Sequence, residues 1–267
     1  MKLAVAAVAL ALAASPADYV ASHQQPDGGF AEPGGQSDPA LTAWATLGLT
    51  ATGRRPAVSP AAYLTSRPAP GAADLALRIL ALRALGEDTT ADVGRLESLR
   101  LGDGRIGPLV NSTIWGVLAL RAAGRPAGTS IRYLLRAQRR SGGWSWYSRG
   151  GTDSNDTAAA VQALRASGIS RRSRPIRRAL VYLRSLQRPD GGFALVEGRP
   201  SDTQSTAWAI QAFVAAGSPP GKGPFRYLAR LRRSDGSYRY SKSHVSTPVW
   251  VTAQVLPALA RRPFPLR

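Results

Sequence analysis

Asp153-Ser154-Asn155-Asp156-Thr157-Ala158 sets two carboxylates three residues apart, on either side of an amide. Paired carboxylates are the residue types of proton transfer. They are equally the residue types of helix capping, where their oxygens accept orphan backbone amides and their charge opposes the helix dipole. The phase recurs in Asp202-Thr203-Gln204-Ser205-Thr206-Ala207 and in Asp38-Pro39-Ala40-Leu41-Thr42-Ala43, which favours capping. Under either reading Asp153, Asp156 and Asp202 ring one end of whatever cavity these helices enclose.

Tryptophan follows the same phase. Trp44, Trp115 and Trp208 each stand two residues after the recurring threonine. They fit core packing, or the lining of an apolar cavity whose ring faces stabilise cations. Two aromatic loops, Trp144 to Arg149 and Tyr238 to Lys242, place Trp146, Tyr147, Tyr238 and Tyr240 beside basic residues. That composition suits a binding rim for glycans, peptides or acidic ligands, and equally ordinary loop packing. Metal and cofactor chemistry find little material. There is no cysteine, and His23 and His244 are the two histidines, so no zinc-ligand spacing is present. No Gly-x-Ser-x-Gly elbow supports a triad through His244, and no glycine loop followed by lysine offers a phosphate cradle. Neither a metal nor a cofactor is expected.

The elements that must position these residues are set by two repeating rulers. One runs from an aromatic-aliphatic pair to a glycine: Tyr19-Val20 to Gly28, Tyr133-Leu134 to Gly142, Tyr182-Leu183 to Gly191 and Tyr227-Leu228 to Gly236, with Arg95-Leu96 to Gly104 and Tyr63-Leu64 to Ala72 as degenerate copies. The other runs from threonine to glycine: Thr42 to Gly53, Thr113 to Gly124, Thr157 to Gly168 and Thr206 to Gly217, with Leu75 to Gly86 lacking the threonine. Each copy reads as two helices. The first is amphipathic: Ile176, Leu180, Leu183 and Leu186 share a face and arginines occupy the other. The second is apolar nearly all round, as in Thr113 to Leu120, which means burial on every side. Paired helices of these two kinds predict an all-α, α6/α6 toroid, with an inner apolar ring inside an outer amphipathic one. An open solenoid has the same periodicity, and the lack of polar capping repeats favours closure.

At 267 residues the chain is long enough to bury a core without covalent staples. Met1-Lys2 followed by the apolar run Leu3 to Leu12 and by Ala11-Leu12-Ala13 has the pattern of a short secretory signal. We therefore expect residues 1–14 to be a signal peptide, 15–262 the toroid and 263–267 a tail. The expected location is secreted or at the cell envelope, with no transmembrane segment after cleavage. The net charge of +19 comes almost wholly from arginine. Arg136, Arg177, Arg184 and Arg230 recur on the amphipathic helices as solvated outer faces, so nucleic acid is not expected as a partner. Attraction to anionic envelope components is a secondary consequence.

Gln24-Gln25-Pro26-Asp27-Gly28-Gly29-Phe30, Gln138-Arg139-Arg140-Ser141-Gly142-Gly143-Trp144 and Gln187-Arg188-Pro189-Asp190-Gly191-Gly192-Phe193 resemble the glutamine-to-aromatic motifs of squalene/terpene cyclases. The same repeats occur in protein prenyltransferase β-subunits. The resemblance spans Ser15 to Arg262 and implies the α6/α6 toroid. It also implies a reading of Asp153 to Ala158: class II terpene cyclases carry Asp-x-Asp-Asp-Thr-Ala there, and its middle aspartic acid protonates an alkene or epoxide. Here that position is Asn155, which cannot deliver the proton and leaves Asp153 and Asp156 as the acids. The expected function is a secreted, non-catalytic module binding an apolar small molecule, glycan or protein partner. The alternatives are a cyclase-like enzyme using Asp153 and Asp156, and a polysaccharide-active toroid using Tyr147, Tyr238, Tyr240 and His244. Trp44, Trp115, Trp208, Asn155 and Asp202 are the expected cavity residues.

Overall fold

The computed structural model describes residues 14–266. The apolar stretch expected to direct export, residues 1–13, lies outside the described residues. Among those described, helices of two kinds alternate along the chain. The outer set is α1 (Pro16–Ala21), α3 (Ala61–Ser66), α5 (Thr90–Ser98), α7 (Thr129–Ala137), α9 (Arg174–Ser185) and α11 (Gly223–Leu231). The inner set is α2 (Pro39–Ala51), α4 (Ala72–Leu85), α6 (Val110–Ala122), α8 (Ser154–Ala166), α10 (Thr203–Ala215) and α12 (Pro248–Leu259). A two-residue ribbon, β1 (Phe193–Ala194) against β2 (Ser201–Asp202), braces the loop before α10.

Burial follows the two hydrophobic patterns. Every residue of α6 from Val110 to Leu120 is buried. In α9 only Ile176, Ala179 and Leu183 are, and Arg174, Arg177 and Arg184 face solvent. Each inner helix packs on the next, and α12 packs on α2, so the ring is closed rather than an open solenoid. Closure depends on Gly48. A Cβ there would stand 2.5 Å from the Ala253 carbonyl oxygen of α12, a backbone atom that cannot swing aside.

The two rulers meet in one hydrogen-bonded joint. The threonine hydroxyl donates to the carbonyl four residues back and accepts the backbone N–H of the residue two positions after the first ruler's glycine. In the fourth repeat Thr157 Oγ1 donates to Asp153 O (2.6 Å) and accepts from Trp144 N (2.9 Å). Thr42 with Phe30, Thr113 with Ile106, Thr206 with Phe193 and Thr252 with Tyr238 repeat it. Glutamine binds one repeat to the next: Gln138 Nε2 donates to Gly142 O and to Pro175 O, each at 2.8 Å. Gly142 adopts φ +97°, and a Cβ there would lie 2.5 Å from Arg178 O, so this turn requires glycine.

The expected tail does not hang free. Phe264 is buried, with ring centroids 6.0 Å from Trp44 and 5.9 Å from Trp208, and its N–H donates to Gln162 Oε1 at 2.7 Å. The residues after α12 thus close the ring from the C-terminal end of the inner helices.

Candidate functional site

At the opposite end, where the inner helices begin, the ring opens into a cup of about 620 Å³. Its walls obey a simple rule. Two tiers of side chains, two residues before and two residues after the threonine position, come from every inner helix. The upper tier is Ala40, Ala73, Asn111, Asn155, Gln204 and Trp250. The lower tier is Trp44, Leu77, Trp115, Ala159, Trp208 and Gln254. Helical periodicity explains it: positions four apart lie one above the other on the same face, and the threonine between them is turned outward to its joint.

The floor is a triangle of indoles. Trp44, Trp115 and Trp208 lie with centroids 5.3, 5.5 and 5.4 Å apart and planes near-perpendicular (80° to 81°). Edge-to-face contacts of this kind are worth ~0.5–1.5 kcal/mol each beyond area burial. Trp250 adds a fourth indole at 6.3 Å from Trp44. The three expected tryptophans therefore serve both readings at once, packing against each other, with Phe264 below Trp44 and Trp208, and lining the cup above. Trp146, from the loop before α8, is exposed and reaches the cup wall; with it, five of the six tryptophans line the cavity.

The carboxylates stand at the start of α8. Asp153 is the N-cap, accepting the Asp156 N–H at 2.8 Å. Burial pushes its carboxyl above the usual range. Asp156 is almost fully buried and accepts from Asn111 Nδ2 of α6 at 2.6 Å. Burial first, and the neighbouring Asp153 second, push its carboxyl up to about 8, while the Asn111 bond pulls the other way. Asp156 is thus mostly a neutral acid at pH 7, touching the cup. Asn155, at the position where the resemblance implies the acid, also lines the cup and accepts from Ser154 Oγ at 3.2 Å. Asp153 caps α8, Asp156 is held by Asn111, and burial pushes both carboxyls above the usual range.

Other expected residues fall elsewhere. Asp202 is buried but caps α10, accepting Ser205 N–H at 2.7 Å, and does not line the cup. Tyr238 is not on a rim: it is buried at the position of Phe30, Trp144 and Phe193, its N–H held by Thr252. Tyr240 is half-buried, while Tyr147 is exposed next to Trp146. His244 sits in an exposed loop with Ser243 and lines no part of the cup. Asn111, Asp74, Leu77, Gln204, Trp250 and Gln254 were missed. Asn111, Leu77 and Gln204 occupy tier positions that the threonine phase would have found, whereas Trp250 and Gln254 flank Thr252, where Pro263 stands in place of the ruler's glycine. Gln254 stands where other repeats have tryptophan, accepting from Gln204 Nε2 (2.9 Å) and Trp208 Nε1 (3.2 Å).

Residues 113–248, just over half of the chain, match the squalene-hopene cyclase C-terminal domain family. The chain belongs to that family. Solved structures share its fold. A type II terpene cyclase from Scytonema, MstE, in complex with its substrate geranylgeranyl dihydroxybenzoate, is 14% identical at a TM-score of 0.69, over 92% of this chain and 95% of that one. A protein from Actinoplanes is 18% identical at 0.66, over 92% and 97%. The ent-copalyl diphosphate synthase of Streptomyces platensis is 22% identical at 0.59, over 84% of this chain and 50% of that longer one. No curated protein matches the sequence. At these identities the neighbours speak to the squalene/terpene cyclase fold, and chemistry has to be argued from the cup.

Proposed function

We propose that this protein binds an apolar, unsaturated molecule of the isoprenoid kind in the tryptophan-floored cup. The observation that carries the proposal is the cup itself: about 620 Å³, open at one end, walled by the tier residues of all six inner helices and floored by indole faces. The volume falls within the ~300–1,000 Å³ of small-molecule sites. Among the described residues no helix is long and apolar enough to cross a membrane. The apolar run at residues 3–12 directs export in this reading, and N-terminal sequencing of the mature protein tests that part.

A second reading follows from Asp156. A neutral carboxylic acid beside an alkene, over ring faces that stabilise cations, is the arrangement for proton-initiated cyclisation. The Asp156 O–H bond breaks as a C–H bond forms on the alkene, leaving a tertiary cation. A second double bond closes the ring onto that cation. The last cation returns a proton to the carboxylate, so the product is an isomer of the substrate. Incubation with farnesol, geranylgeraniol and squalene, followed by gas chromatography–mass spectrometry, separates the readings. Bound ligand with no isomer leaves a binder. Cyclised isomer that disappears in Asp156→Asn, with binding retained, makes it a cyclase. No binding of any of the three overturns both.

A further inference from the structure

The cup is electrostatically unlike the rest of the molecule. The chain carries 35 lysines and arginines against 16 acidic residues. Yet no lysine, arginine or histidine is among the side chains lining the cup, whereas Asp74, Asp153 and Asp156 are. Helix N-termini point toward this end and would ordinarily attract an anion. Here they are already answered by the chain's own carboxylates: Asp38 accepts from Leu41 N–H at 2.7 Å, Asp153 from Asp156 N–H and Asp202 from Ser205 N–H. Indole faces carry the negative end of their quadrupole. A diphosphate could still enter with a bridging divalent cation, but among the described residues no three acidic or histidine side chains converge to hold one. Among the polar side chains of the wall, Gln254 stands in the lower tier beside the indole floor. Its Oε1 is filled by Gln204 and Trp208, which leaves its Nε2 as a hydrogen-bond donor without a protein partner.

Resting on the reading of the cup as the ligand site, we infer that the ligand is uncharged. It is an alkene chain bearing at most a hydroxyl or carbonyl head, which Gln254 Nε2 meets, and anionic diphosphate or carboxylate heads are rejected. An anion in the cup would lose its hydration without meeting a counter-charge. The basic exterior would hold anions at the surface without drawing them inside.

The test is equilibrium dialysis with radiolabelled farnesol, competed by unlabelled farnesol or farnesyl diphosphate in 0.15 M salt. Competition reads occupancy of the cup and is blind to diphosphate held on the arginine surface. Farnesyl diphosphate is expected to compete at least ten-fold more weakly than farnesol. Gln254→Lys, which places a cation on the wall, is expected to narrow or reverse that ratio, with Gln204→Lys as the second variant should the first not fold. Equal or stronger competition by the diphosphate in the wild type overturns the inference while leaving the cup as the site. Farnesol that binds but is insensitive to Trp208→Ala, or does not bind at all, overturns the reading of the cup and the inference with it.

Discussion

Asp156→Asn should raise stability at neutral pH and flatten its pH dependence, although it alters a buried, hydrogen-bonded residue. In the unfolded chain an aspartate ionises near pH 3.8; in the fold this one holds its proton to about pH 8. Below pH 3.8 both states are protonated and nothing is lost. As pH rises through that value the unfolded chain gives up its proton and the folded chain keeps it. Stability therefore falls with pH, by at most about 1.4 kcal/mol per pH unit, until the folded carboxyl ionises. Across pH 5 to 7.5 that amounts to about 3 kcal/mol, reduced to roughly 1–3 kcal/mol because Asp153 shares the electrostatic cost of the pair. Asparagine keeps an oxygen to accept the Asn111 bond and has no proton to lose. Urea unfolding at half-unit steps from pH 5 to 7.5 reads the effect. The wild type should lose stability along the series. Asp156→Asn should lose less and should exceed the wild type at pH 7.5 by ~1–3 kcal/mol. Burial also raises Asp153 and Asp202, which leaves the variant a residual slope of the same sign. The exposed carboxylates whose values are lowered, such as Asp27 and Asp103, act below pH 4 and stay out of this window. A wild type whose stability is flat or rises over the range refutes the reasoning. So does a variant destabilised equally at both ends.

Two further expectations concern the frame. Thr157→Val removes the hydroxyl that accepts Trp144 N–H and leaves that buried amide unpaired, which should cost about 1–3 kcal/mol in chemical denaturation. Gly48→Ala improves helix propensity by about 1 kcal/mol but drives a Cβ into the Ala253 carbonyl, so a net loss of about 1–3 kcal/mol from overpacking is expected, read as a lowered melting temperature.

Much of the ring was legible because its joint is built from side chains that recur. Thr157, Gln138 and Gly142 each appear at fixed spacing since each bonds backbone atoms that every repeat presents in the same place. Closure was legible only through the missing polar capping repeats: the contact of Gly48 with Ala253 that makes it joins the first repeat to the last, and nothing local marks it. The site was half legible. Trp44, Trp115 and Trp208 share a residue type and so announced their tier. Leu77, Ala159 and Gln254 occupy the same tier with unrelated side chains, and reading residue type instead of phase passed over them. Tyr238 misled for the converse reason. Its neighbours in sequence look like a binding loop, while its position after Gly236 is the buried aromatic site that Phe30 and Trp144 also fill. Asp156 needed the third dimension, because the Asn111 amide that holds it comes from the preceding inner helix.

The most direct test of the cup as the ligand site is a nitrogen–proton correlation spectrum of the six indole groups during titration with farnesol. Trp44, Trp115, Trp146, Trp208 and Trp250 line the cup. Trp144 does not: it is buried, with its Nε1 donating to Leu134 O at 2.8 Å. We expect the first five indole signals to shift together along one saturating curve while that of Trp144 stays in place. Movement confined to the exposed Trp146, or no saturable shift in Trp44, Trp115 and Trp208, would contradict the account.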